Sequence, residues 1–181
     1  TLVGPDGDAH VYQPTPKAAR SVAESDVLFL NGLDFEGWLE RLAEAASFDG
    51  AMVVATNGVV PIAFDDHDDH DDEKHDDHDD HDDEKHDDHA GHDHGAFDPH
   101  AWQSLENAVI YANNIAAGLA KADPENAGDY YANRAAFVAE VEMLSADIEA
   151  MMKSLPADKR TVVTPHDAFG YFAATHGLTF V

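Results

Sequence analysis

The chain has 181 residues with 37 Asp and Glu against 10 Lys and Arg, a formal net charge of −27. That balance leaves no basic face and argues against nucleic-acid binding, which needs clustered Lys and Arg. The absence of cysteine excludes thiolate metal sites, cysteine nucleophiles and disulfides. No run of 18 apolar residues occurs, so no membrane-spanning helix is expected. A start at Thr1, with neither Met nor a charged and apolar leader, is expected of a piece of a longer chain.

In chain order, TLVG at 1–4 reads as a strand, and a loop containing His10 follows. PTPKAARSVAE at 14–24 opens a helix, with Thr15 as N-cap and Pro16 in the first turn. VLFLNG at 27–32 is a short buried strand ending at Gly. Asp34 is expected to cap a second helix through about Ala46, whose Phe35, Trp38, Leu39 and Leu42 share a face. AMVVAT at 51–56 is another continuous apolar strand. All-apolar strands alternating with helices predict a parallel sheet covered on both sides.

Residues 65–94 depart from this pattern, with 17 acidic residues, 2 Lys and nine histidines. DDHDDHDDEKH fills 65–75 and recurs at 76–86, a period of 11 that is far below solenoid repeats. The repeat has no apolar residue to offset the entropy of ordering, so 65–95 is expected to be a disordered loop. Its histidines (His67, His70, His75, His78, His81, His86, His89, His92 and His94) are candidate weak metal ligands. Imidazole must be neutral to bind zinc, and the surrounding carboxylates favour its protonated form, so binding here should weaken below neutral pH. Collecting zinc, sensing high zinc and receiving metal from a partner all fit this tract, and so does a solvated acidic linker.

After the tract, FDPHAWQS places Asp98 as an expected N-cap and Pro99 at the first helical position. Trp102, Leu105, Val109, Ala112, Ile115 and Leu119 continue at helical spacing. Asp123-Pro124 starts another helix, in which Phe137, Val141, Leu144, Ile148, Met151 and Leu155 recur every three or four residues up to Pro156. From 124 to 155 such a helix is roughly 48 Å long, enough to bridge two lobes. TVVTP at 161–165 is a strand, Asp167 to Thr175 a helix, and LTFV another strand.

Four histidines lie outside the tract. His176, just before Gly177, suits a helix C-terminus. His10, His100 and His166 each sit in a loop or first turn beside a strand or helix end, where ligands bind in open α/β sheets. Three neutral imidazoles suit zinc and leave a fourth tetrahedral position for a carboxylate or water. Ligand histidines usually donate their other ring N–H to a carboxylate. Asp98 and Asp167 are close by in sequence, but helix capping is the expected job of both.

GDAHVYQPTP, NGLDFEGWLERL, the run from FDPHAWQ through DPENAGDYYANRAAFVAEV, and VVTPHDAFGYFAATHGL stand in this order. Together they resemble the metal-binding subunits of ABC importers for zinc and manganese, the cluster A-I solute-binding proteins. The acidic His-rich insertion before DPH resembles the zinc-specific branch. The resemblance implies an α/β fold of two lobes of parallel sheet with flanking helices, joined by one long rigid helix, the second lobe truncated. On that pattern 1–123 is the first lobe, itself incomplete at its N-terminus, 124–156 the connecting helix and 157–181 the start of the second lobe. It makes His10, His100 and His166 the ligands of a tight cleft site, with a fourth expected beyond residue 181. Manganese-preferring members carry Glu where His166 stands, and imidazole in that place shifts preference toward zinc.

The function so implied is capture of Zn2+ as transported ligand, without catalysis, and delivery to an ABC permease in the inner membrane. The protein is expected to be a monomer, periplasmic or lipid-anchored, with a periplasmic zinc donor as a further possible partner. Two other readings stay open: a zinc buffer or adhesin working through the tract, and a three-His zinc hydrolase. Neither HExxH nor GxSxG is present to support the hydrolase.

Overall fold

The computed structural model describes residues 1–5, 7–63 and 96–181. The tract histidines from His67 to His94, and the disorder expected of 65–95, lie outside the described residues.

Helix α1 spans Pro16–Ala23, and Thr15 caps it by accepting from the Ala18 N–H at 3.2 Å. Strands β1 (Val27–Leu30) and β2 (Ala51–Val54) pair in parallel, with Val27 opposite Ala51 and Leu30 opposite Val54. Leu28 and Leu30 point into a core shared with Ala18 and Val22 of α1 and with Leu39, Leu42 and Ala43 of helix α2 (Leu39–Ala45). The long helix α3 (Leu105–Ala122) covers the other face, passing close over Phe29 and Val53 at Gly118. The parallel, helix-covered sheet is thus as expected, though Met52 and Val54 stay 44 % and 40 % exposed on β2. Residues 1–4 form no strand; Leu2 and Val3 pack against the core from an irregular segment.

Three helix starts differ from the sequence reading, each for a local reason. Asp34 caps nothing: Gly32, Leu33 and Asp34 all have positive φ (91°, 55° and 59°), so the chain coils through a left-handed turn before α2 begins. Only glycine fits at 32, where an added Cβ would sit 2.5 Å from Thr56 Oγ1. Asp98 is followed by a single 3-10 turn (Ala101–Gln103), and Ser104 caps α3 instead, accepting from Asn107 N–H. The helix expected from Asp167 begins at Gly170, and that helix, α5, runs to His176. His176 occupies its last turn, as expected, with Gly177 as C-cap.

Pro124–Asn126 is a 3-10 turn, and the long helix proper, α4, runs 28 residues from Ala127 to Ser154. Arg160 closes its C-terminus, donating to the Met152 and Leu155 carbonyls. The apolar stripe read along α4 is only partly buried: Val141 is 7 % exposed, but Phe137, Leu144 and Met151 are 47 %, 48 % and 56 % exposed. Length explains part of this. At about 1.5 Å per residue, α4 outruns its antiparallel neighbour α3 by roughly 15 Å. Beyond α4, β3 (Thr161–Val162) and β4 (Thr179–Phe180) form a second parallel pair with α5 between them. The chain is therefore a helix-rich α/β fold with two small parallel sheets flanking one long helix in the sequence.

Candidate metal centre

His10 lies in the irregular segment before α1, and its backbone N–H donates to Asp8 Oδ1 at 2.9 Å. That segment is tied to the core one residue earlier. Trp38, 8 % exposed, donates its indole N–H to the Ala9 carbonyl at 2.6 Å and packs edge-on against Tyr12. His100 follows the Asp98-Pro99 pair and is 3 % exposed. His166 stands in the exposed loop between β3 and α5, where Thr164 Oγ1 donates to its carbonyl at 3.0 Å.

These three residues, 90 and 66 positions apart, meet in space. His10 Nε2 and His166 Nε2 each lie 3.2 Å from His100 Nε2. A tetrahedral ion with about 2.0–2.1 Å bonds to nitrogen holds its ligand atoms about 3.3 Å apart, so the spacing suits one shared cation. All three ligand atoms lie within 4.8 Å of one another, the one such grouping of three or more among the described residues. They line a pocket of about 600 Å³ with Phe35, Trp102 and Phe169.

Asp98 decides which nitrogen of His100 is offered. Its Oδ1 lies 2.7 Å from His100 Nδ1 and also accepts from the His100 backbone N–H at 2.9 Å. A carboxylate only accepts, so Nδ1 carries the proton and the Nε2 lone pair faces the other two imidazoles. Asp98, 4 % exposed, thus orients the His100 imidazole rather than capping a helix. Asp167 is exposed and takes no part. Nothing but glycine fits opposite Asp98, because a Cβ at Gly170 would come within 2.6 Å of Asp98 Oδ2. That oxygen belongs to a buried, hydrogen-bonded group and cannot swing aside freely. Gly170→Ala is therefore expected to destabilise the chain by about 1–3 kcal/mol, seen as a lower urea midpoint. An unchanged midpoint would mean that Asp98 yields.

Sequence spacing did not single out the residues that hold this constellation. Asn31, ending the apolar β1 run, donates to the Pro99 carbonyl at 2.9 Å, and its side-chain oxygen accepts from the Tyr111 hydroxyl. Its backbone N–H donates to Glu36 at 2.8 Å. Burial pushes the Glu36 carboxyl above its usual range, while the N–H donors of Asn31 and Gly32 pull it down. Burial likewise raises the Tyr111 and Tyr171 phenols. Phe35 is not on the α2 face; from the left-handed turn its ring meets His10 edge-on at 4.5 Å and Trp102 at 4.9 Å. A polar residue closing an otherwise apolar strand was the one signal available for Asn31.

The proteins this chain is similar to are metal-transporter substrate-binding proteins rather than enzymes. The family model described as ZnuA, zinc-uptake complex component A periplasmic, matches residues 1–181, and the chain belongs to that family. It is 29 % identical over 178 residues to the iron-binding protein YfeA of Yersinia pestis, covering 98 % of this chain and 49 % of YfeA. It is 28 % identical over 177 residues to the manganese ABC transporter substrate-binding lipoprotein PsaA of Streptococcus pneumoniae, covering 94 % and 49 %. The crystal structure of a zinc-bound ZnuA deletion mutant superposes with a TM-score of 0.77 at 29 % identity, over 99 % of this chain and 58 % of that one. The chain thus spans about half the length of the two relatives named first.

Proposed function

We propose that this chain is the Zn2+-capturing part of an ABC importer's solute-binding protein, with His10, His100 and His166 as ligands of the tight site. The observation that carries the reading is the meeting of three Nε2 atoms at 3.2 Å spacings, one of them oriented by Asp98. An all-imidazole trio is a borderline-soft donor set, better matched to zinc than to manganese. Named relatives bind iron and manganese, so the donor set, not the kinship, argues for zinc. On this reading 1–123 forms the first lobe, 124–156 the connector and 157–181 part of the second. The protein works outside the cytoplasm, free or lipid-anchored, and hands the ion to a membrane permease. No helix among the described residues is long and apolar enough to cross a membrane.

The His/Asp tract would add weaker zinc sites that feed or report on the cleft. Calorimetric titration of the chain with 65–94 deleted separates the two. The tightest zinc site is expected to survive the deletion and to disappear in His10→Ala, with manganese binding more weakly to the same site. If the tight site leaves with the tract and ignores His10→Ala, the assignment is wrong. Cells lacking the gene should fail to grow in zinc-depleted medium and recover with added zinc; normal growth there would favour storage over uptake.

A further inference from the structure

Tyr171 belongs to α5 and is 4 % exposed, yet its hydroxyl reaches across to the segment that bears His100. It accepts from the Ile62 N–H at 3.1 Å and donates to the Asp98 carbonyl at 3.0 Å. Ile62 and Asp98 also bond each other, the Asp98 N–H donating to the Ile62 carbonyl at 2.8 Å. One residue further out on each side, Ala63 and Phe97 form an antiparallel bridge. These contacts make a closed stem, with the tyrosine hydroxyl inserted at its base. The Asp98 side chain completes the arrangement: one oxygen holds His100 and the other lies against Gly170, next to Tyr171.

The first turn of α5 therefore touches Asp98 twice, through its carbonyl and through its carboxylate. His166 is five residues before Tyr171, in an exposed loop on the same short segment. Where α5 docks decides where that imidazole stands. A buried phenol with both its donor and its acceptor role filled is held in one orientation.

We propose that Tyr171 is a positioning residue for the metal centre: its hydroxyl locks α5 onto the Ile62–Asp98 stem and so sets the distance between His166 and His100. This inference rests on the reading of the three histidines as a zinc site. The phenol touches no ligand, so its effect runs through His166.

The test follows zinc release from the full chain into excess chelator by stopped flow, taking as the cleft's own phase the one that His100→Ala abolishes. Tyr171→Phe is expected to speed that phase roughly tenfold, in the range seen when supporting hydrogen bonds near ligands are lost. In a His166→Ala background the same change is expected to do nothing further, because the imidazole it positions is gone. Gly170→Ala, which displaces α5 by a different route, should likewise speed release in the parent and add nothing in the His166→Ala background, and it covers the case in which Tyr171→Phe folds poorly. Equal release from parent and Tyr171→Phe, or equal losses with and without His166, overturns the inference. Release that depends on His100 but not on Tyr171 overturns this inference alone. Release that ignores His100→Ala overturns the zinc reading with it.

Discussion

His100→Ala is expected to weaken the tight zinc site by roughly a hundredfold to a thousandfold. Structural zinc sites bind with about 10–16 kcal/mol shared among four ligands, so one imidazole carries about 2.5–4 kcal/mol. His100 stands at the centre of the trio, 3.2 Å from both partners. Its loss also takes the imidazole partner from buried Asp98, whose Oδ1 keeps only the backbone N–H of residue 100, and a hydrogen bond to a charged acceptor is worth more than one to a neutral acceptor. The measurement is a competition titration against a chromophoric chelator, with far-UV dichroism to establish that the variant folds. A folded His100→Ala chain that competes as well as its parent would remove the histidine trio from consideration.

Trp38→Ala is expected to lower stability by about 3–5 kcal/mol, as for other buried tryptophans. The ring is 8 % exposed, within the core built from α1, β1 and α2. Trp38→Phe separates packing from the hydrogen bond. It keeps most of the apolar surface and removes the donor to the Ala9 carbonyl, for an expected loss of about 1–2 kcal/mol. Because Ala9 precedes His10, the phenylalanine variant should also gain less stability from zinc than the parent does. Urea unfolding at fixed zinc and in chelator reads both effects, since a ligand stabilises in proportion to the logarithm of its concentration over Kd. An identical zinc-linked gain in Trp38→Phe would mean that His10 is held by something else.

The parts of this fold that could be read in the sequence are those set by local chemistry. VLFL and AMVV are unbroken apolar runs, and they pair in parallel because both faces have helices to meet. Thr15-Pro16 is a complete helix start in two residues, and it stands where expected. The starts of α2, α3 and α5 were misplaced because the aspartate before each does not cap: Asp34 lies in a left-handed turn, Asp98 holds His100 and Asp167 is exposed. Asp98 can cap a helix or hold an imidazole, and sequence proximity allows both. In the fold its Oδ1 is taken by the His100 ring and backbone N–H, while Oδ2 lies against Gly170, 72 residues later. Leu33 is not a residue type that favours left-handed backbone; it adopts it in a turn that Glu36 closes by reaching back to the Asn31 and Gly32 N–H groups. The histidine trio has no periodicity at all. It was legible from the kind of position each residue occupies and from resemblance, whereas Phe35 and Trp102, which flank it, looked like ordinary helix-face residues.

The Ala63–Phe97 bridge and the Asp98–Ile62 bond fix the two ends of the inserted segment without reference to what lies between them. Doubling the length between two closed ends costs a chain only about 0.6 kcal/mol. Copy number of the 11-residue unit is therefore nearly neutral for folding. Each unit carries three imidazoles and a net charge of −6, so a variant with one copy removed is expected to keep its stability while losing that share of the tract's donors.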